Sequence, residues 1–449
     1  MEHLLEILRS AQKVAEQAEV FWVSSRETPV DFEANKLKQI QNKESTGVAL
    51  RIFRGGKIGF SAASGPHLAL SLQGEGRGEG ETLLNMAVET AQFGLPVSFT
   101  LPSLRDYPEV SIFDPRVEKM PMEEMIELGT LAIARVREYA PDILCDVRVT
   151  KGTGSVQIVN SQGGEASYVK SFFSLSLEGI LIQDTDMLFV GDSESSCCLP
   201  DKLDVVADRV IRQLELAKEN AAISGVKLLP VIFTPRGVAS AFLSPIEVAF
   251  NGKAVLEGAS PLKDRLGEQV FDNGLSLWDD ATIAYGIGSS PCDDEGMPSQ
   301  CTTLIKNGVV SNFLYDLQTA ALAGTQSTGN GRRAGAGFPK PAISCLVIDE
   351  GEVPFQSMVA DMKEGLIVER LIGADQGNLL GGDFGGNVLL GYKVENGKVV
   401  GRVKDTMISG NIYQVLKQLL GVGSEARWVD GILRTPALYC SCLSVTAKG

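Results

Sequence analysis

The stretch from Leu229 to Glu268, LPVIFTPRGVASAFLSPIEVAFNGKAVLEGASPLKDRLGE, constrains this chain more than any other. A β-branched and aromatic run, Val231-Ile232-Phe233, meets Thr234-Pro235. Thr is a good helix N-cap, and Pro suits the first helical turn because its missing N–H has no helical partner there. Apolar residues then recur at helical spacing through Val238, Phe242, Ile246, Phe250 and Ala254. A buried helix entered straight from a strand is a common setting for an active site. Pro245 interrupts it, because a proline inside a helix removes a hydrogen bond and crowds the preceding turn. The spacing therefore predicts a restart, with Ser244 as N-cap, Pro245 first and Glu247 closing a capping box. The stretch holds no His and no Cys, and capping accounts for its one mid-helix acid, Glu247.

That lack matters because the whole chain of 449 residues has two histidines, His3 and His67. Most Ser, Cys and zinc hydrolases place a His at the reaction centre. Here one lies on a terminal helix and the other in a Gly/Pro-bounded loop, so both read as solvated. The net charge of −15 argues against nucleic acid as a direct partner, since phosphate binding needs a concentrated basic face. No run approaches the ~18 apolar residues of a transmembrane helix. The N-terminus, MEHLLEILRSAQKVAEQAEV, is a charged amphipathic helix and not a signal peptide, so the cytoplasm is the expected location. The eight scattered cysteines read as reduced thiols.

The element order predicts an α+β fold in two halves. In the first, Glu19–Arg26 and Val30–Gln41 read as strands. Gly47–Phe53 and Lys57–Ser64 form a hairpin across Gly55-Gly56. A Gly-rich connection (65–80) leads to a helix over Glu81–Gly94, and the irregular stretch 95–116 marks a subdomain boundary. A helix over Pro121–Tyr139 precedes strands Ile143–Thr150, Ser155–Asn160 and Tyr168–Gln183, with turns at Gly152 and Gly163-Gly164. A helix over Asp201–Ala222 closes this half. The expected domains are 1–222, with subdomains of about 1–100 and 115–222, and a mostly antiparallel, β-rich 223–449. Asn307-Gly308 and Asn396-Gly397 mark hairpins there; short helices are expected at Asp316–Ala323, Phe355–Lys363 and Asn411–Leu420, and a closing strand at Ala437–Thr446.

Few motifs carry chemistry. The Gly74-x-Gly76-x-Gly78-x-Gly80 series has the wrong spacing for a dinucleotide loop, and Glu75 and Glu79 would repel phosphate, so it reads as a connector. Gly258-Ala259-Ser260-Pro261-Leu262 lacks the second Gly of a nucleophile elbow and reads as a turn with Ser260 as a cap. Cys440 and Cys442 are expected on one face of the last strand, too few for a zinc site. Cys292-Asp293-Asp294-Glu295-Gly296 is either a solvated turn or a place for a hard cation or a substrate ammonium. Thr328–Arg333 is either a mobile loop or, through Arg332 and Arg333, a site for a carboxylate or phosphate. Gly381–Asn387, with Gly382, Asp383 and Phe384, either pairs with an extended peptide or forms a tight turn.

An ordered series of segments resembles the TldD/PmbA family, also called modulator of DNA gyrase. It comprises GVALRIFRGGKIGFSAAS (47–64), GASPLKDRLGE (258–268), CDDEGMPSQ (292–300), NGVVSNFLYDLQTAALAG (307–324), TGNGRR (328–333), LLGGDFGGNVLLGYKVENGKVVGRV (379–403) and ISGNIYQVLKQLLGVG (408–423). The resemblance implies a cytosolic metalloprotease system acting on small or unfolded peptides and built from two related subunits, TldD and PmbA (TldE). The TldD type implies an HExxxH zinc helix with a Cys ligand near the C-terminus. One register sets Ile246, Glu247 and Asn251 on that motif, which leaves Glu247 as the only catalytic candidate. Trp428–Pro436 offers no Cys where the ligand is expected. These departures match the PmbA/TldE type, with no metal in this chain and zinc on a TldD-type partner. The expected assembly is a heterodimer with that partner, or a homodimer, taking a peptide substrate without nucleic acid or membrane. Two alternatives stand beside it: a stand-alone peptidase using Asp293–Glu295 and another metal, and a non-proteolytic regulator of gyrase or a toxin–antitoxin pair.

Overall fold

The computed structural model describes residues 1–65, 77–184, 186–374 and 376–447. His67, Gly74 and Gly76 lie outside the described residues. Seven strands of the first half form one antiparallel sheet in the order Lys57–Ser64, Lys43–Arg54, Gln17–Glu33, Leu144–Asn160, Glu165–Gln183, Asp186–Ser196. Lys36–Ile40 folds back onto the end of Gln17–Glu33. Strand alternation sorts the side chains. Val20, Val48, Leu50 and Ile52 pack under the helices Glu2–Ala11 and Arg77–Ala91, against Leu4, Leu8, Leu83 and Ala87. Their neighbours of opposite parity, Phe21, Ala49 and Ile158, meet Cys292 and Ala336 of the second half. Further along, the helices Met122–Tyr139 and Asp204–Leu216 cover Val147, Val149, Leu175 and Leu177.

Several elements differ from the sequence expectations. The expected strand over Val30–Gln41 is broken by a turn at Ala34-Asn35, both with left-handed φ (47° and 70°). Asn35 holds the turn by donating to the Ile143 carbonyl and accepting from Cys145 N–H. Gly152 is no turn: Leu144–Asn160 runs straight through it. A Cβ there would sit 2.3 Å from the Phe172 ring, so the glycine serves close packing. The strand Asp186–Ser196 was absent from the expectation, because its acidic residues hide its alternation; Asp192 is buried on Arg427. The helix expected over Asn411–Leu420 shrinks to Ile412–Val415, and Leu419 already starts a strand.

In the second half, five strands close into a ring. Gly225–Phe233 pairs in parallel with Glu364–Ile372, which pairs with Asp383–Glu395, then Thr406–Asn411, then Leu433–Ala447, which returns to Gly225–Phe233. Leu346–Ile348 extends this sheet from Leu433–Ala447 towards Leu277–Asp280 and Cys301–Lys306. The helix Pro235–Phe250 lies on the ring and does not restart at Ser244. Ser244 is exposed, Pro245 is buried inside the helix, and the capping box with Glu247 is absent. Val238, Ala241, Phe242, Pro245, Ile246 and Ala249 form one buried stripe. Each large apolar side chain buried is worth about 1.5–3 kcal/mol. The stripe therefore outweighs the roughly 3 kcal/mol that an interior proline costs.

Candidate functional site

The site is built around that helix. Thr234 caps it by accepting from Gly237 N–H (3.4 Å), and its hydroxyl donates to Glu369 (2.9 Å). Phe242 stacks edge-on against Phe384, with ring centroids 5.3 Å apart, and Phe233 completes the aromatic cluster. The three positions set against a zinc motif do other work. Ile246 is a core residue. Asn251 caps the next short helix through Lys253 and Ala254 N–H and donates to the Pro341 carbonyl. Glu247 is half-buried, and burial raises its carboxyl pKa. This donor set does not fit zinc, and among the described residues no cluster of three His, Cys, Asp or Glu could hold a metal.

Asp383 and Phe384 line a cleft of about 560 Å³, and Gly382 precedes them in the chain without lining it. The ladder between Thr406–Asn411 and Leu433–Ala447 ends at Ser409↔Ser444. Beyond it the strands part: Gly410 and Asn411 line one wall, Cys440 to Leu443 the other. Asp383 accepts from the Asn411 side chain (2.8 Å), and Phe384 is buried. Gly382 has a left-handed φ of 80° and its Cβ would strike the Tyr413 ring at 2.3 Å, so only glycine fits. Cys440 and Cys442 do not share a face. A bulge between Cys440 and Leu443 shifts the register, burying Cys440 and exposing Cys442.

Asp294, Glu295, Arg332 and Arg333 lie together elsewhere, and neither loop is solvated or mobile in character. They form a buried ionic cluster between the first sheet and the second half. Arg51 bridges Glu19 (2.9 Å) and Glu295 (2.6 Å), all three with side-chain exposures of at most 1%. Arg333, with no exposed side-chain surface, donates to Glu19 (2.5 Å). The other Glu295 oxygen accepts from Leu317 N–H, and Asp293 accepts from the N–H groups of Glu295, Met297 and Gly331. Asp294 accepts from Arg333 N–H, while Arg332 donates to Ser290 and Ser344. Burial raises the pKa of Glu295, with Arg51 opposing and Asp316 adding to the rise. Burial lowers that of Arg51, but Glu19 and Glu295 hold it above its ordinary value. As folded, Glu295 and Arg333 present no surface to a ligand. Glu19 and Arg51 were missed in the sequence. The structure sets them opposite one another on the neighbouring strands Gln17–Glu33 and Lys43–Arg54.

Comparison with known proteins places this geometry. The PmbA/TldA metallopeptidase domain 1 model matches residues 18–89, the central domain model 115–222 and the C-terminal domain model 226–447. A metalloprotease of Methanothermobacter thermautotrophicus is 24% identical, over 95% of this chain and 92% of its own. The Metalloprotease TldD homolog of Haemophilus influenzae is 26% identical over 92% of this chain and 87% of its own. TldE from Thermococcus kodakarensis has the same fold, with a TM-score of 0.88 at 20% identity over 99% of this chain and all of that one. No helix among the described residues is long and apolar enough to cross a membrane. Matched from residue 18 to 447 by three consecutive domain models, the chain belongs to the PmbA/TldD family of metalloproteases.

Proposed function

We propose that this chain is the PmbA/TldE-type subunit of a TldD/TldE-type metalloprotease, shaping the peptide route while zinc resides on a related TldD-type chain. One observation carries this reading. The helix that resembles the metal-bearing one presents Ile246, Glu247 and Asn251, a core residue, a lone acid and a cap, where a zinc site needs imidazoles. A single carboxylate cannot hold zinc without partners. The peptide route is assigned to the cleft that Asp383 and Phe384 line, where two strand edges part. Against a stand-alone peptidase using the Asp293–Glu295 loop stands the pairing of Glu295 with Arg51, which already satisfies that carboxylate. The test is zinc analysis of the purified chain, with peptidase assays alone and with a TldD-type partner. Activity only in the mixture is expected; stoichiometric zinc with peptidase activity from this chain alone would sink the proposal.

A further inference from the structure

A second cavity, of about 380 Å³, opens at the seam between the central domain and the second half. That volume lies in the range of small-molecule sites. One wall comes from Arg116 and the segment Glu194–Asp201, the other from Ala284–Ile287, Trp428 and Gly431. Its walls are braced. Tyr285 holds a left-handed φ of 59°, a costly conformation for a residue with a bulky side chain. Three hydrogen bonds to the first half fix it. Tyr285 N–H donates to the Ser111 carbonyl, and the Tyr285 carbonyl accepts from Cys197 N–H and the Ser196 hydroxyl. On the same wall, next to the lining Gly431, Asp430 is also left-handed (φ 51°) and accepts from the Ser193 hydroxyl. Strain of this kind persists where surrounding structure over-determines it, and it concentrates at ligand clamps.

The lining chemistry is paired. The Arg116 guanidinium binds Asp114 and the Leu199 carbonyl through Nε and Nη2, which leaves Nη1 uncommitted. Asp201 is exposed and makes no hydrogen bond or ion pair among the described residues, yet it lies close enough to act on Arg116 electrostatically. A guanidinium with one free nitrogen and an unpaired carboxylate thus lie close together in the lining that Trp428 and Tyr285 share. Glu194 is already held by Arg209. Two carboxylates in the lining disfavour a phosphate ligand.

We propose that this seam cavity binds a free α-amino acid with an aromatic side chain, its ammonium on Asp201, its carboxylate on Arg116 and its ring against Trp428 and Tyr285. Both head-group contacts are charge-assisted hydrogen bonds, the strong kind. The site is separate from the cleft at Phe384. Its test uses this chain alone, so it stands or falls independently of the subunit reading.

The experiment is calorimetric titration of the full chain with L-phenylalanine, N-acetyl-L-phenylalanine and L-phenylalanine amide, paired with tryptophan fluorescence. The chain has three Trp, and Trp428→Phe identifies the reporter. L-phenylalanine is expected to bind and to change the fluorescence, with the change lost in Trp428→Phe. Each blocked analogue should bind at least about tenfold more weakly, which is one log unit or 1.4 kcal/mol. Asp201→Asn should weaken binding similarly and leave the melting temperature unchanged, because Asp201 is exposed and unpaired. Arg116→Gln is the less clean variant, since it also strips Asp114 of its partner. The proposal is overturned by no binding up to about 10 mM, well beyond the millimolar range of weak ligands. Blocked analogues that bind as well as the amino acid, or an unaltered Asp201→Asn, overturn it too.

Discussion

Replacing Arg51 by Met tests the buried cluster most directly. Arg51 has 1% of its side chain exposed and contacts Glu19 and Glu295, both fully buried. Met keeps much of the volume and removes the charge. Breaking a buried ion pair by deleting one partner costs about 3–5 kcal/mol, because the remaining charge is left uncompensated. Glu19 keeps Arg333 at 2.5 Å, so the uncompensated charge is that of Glu295. The carboxylates of Glu19, Asp293, Asp294 and Glu295 already outnumber the guanidiniums of Arg51, Arg332 and Arg333, and burial raises Glu295 above the ordinary glutamate value of 4.5. A carboxyl whose folded pKa is raised binds a proton more readily in the folded state. Its contribution is full below the unfolded value and is lost as pH rises through the folded one. Because Arg51 holds the Glu295 pKa down, its removal raises that pKa further, and at about pH 7 the variant should lose about 3–5 kcal/mol for leaving Glu295 without its buried partner. Glu295 is proton-bound at about pH 5 with or without Arg51, so lowering the pH should not restore the variant relative to the unaltered protein. Urea unfolding followed by circular dichroism at both pH values reads this. A loss below about 1 kcal/mol at about pH 7, or a loss that vanishes at about pH 5, refutes the reasoning. Adding Glu295→Leu to Arg51→Met should recover part of the stability, because an apolar replacement of the whole pair removes the stranded charge.

Other outcomes follow from named contacts. In the unaltered protein, burial raises Asp293 as well as Glu295, so this cluster should make the chain melt higher near pH 5 than near pH 8, measured by calorimetry. Thr234→Ala should cost about 1 kcal/mol as a lost N-cap, whereas Ser244→Ala, on an exposed mid-helix site, should stay within about 0.5 kcal/mol; a large Ser244 effect in chemical denaturation would restore the helix restart. Phe384→Ala should cost about 3–5 kcal/mol by opening a cavity beside Phe233 and Phe242, read by the denaturation midpoint. A thiol reagent should label Cys301 and Cys442 first, leaving buried Cys440 silent until the chain unfolds; mass spectrometry of the labelled peptides checks the order.

What could be read from the chain was what local physics decides. The Gly55-Gly56, Asn307-Gly308 and Asn396-Gly397 turns sit where left-handed φ requires them, with all three glycine-bearing pairs on the positive side. The helix Met122–Tyr139 follows from its apolar spacing, and Leu317–Leu322 from its cap at Asp316. Errors arose where tertiary packing overrode a local rule. Pro245 argues for a break, yet the stripe from Val238 to Ala249 is buried against the ring and carries the helix across it. Gly152 argues for a turn, yet it lies under the Phe172 ring in mid-strand. The acidic run Asp293–Glu295 argues for solvent, yet a basic partner waits far away in the chain.

That last case shows why the cluster could not be read in advance. Glu295 and Arg51 are 244 positions apart, and no motif links them. Arg51 does leave a trace, a charge at the centre of VALRIF with Leu50 and Ile52 buried on either side. A strand with one apolar face would place that guanidinium in water. Its burial therefore requires a second layer on the far face: CDDEG brings Glu295 to Arg51, and TGNGRR brings Arg333 to Glu19, the acid that Arg51 meets on its own sheet. Because both segments belong to the C-terminal half, the full burial of Arg51 depends on the docking of two domains, although Glu19 meets it within its own sheet. The same reasoning separates the cluster from the cleft at Phe384. Charges that satisfy each other across a domain seam hold the scaffold, whereas the cleft at Phe384 is bounded by two strands that part beyond Ser409 and Ser444.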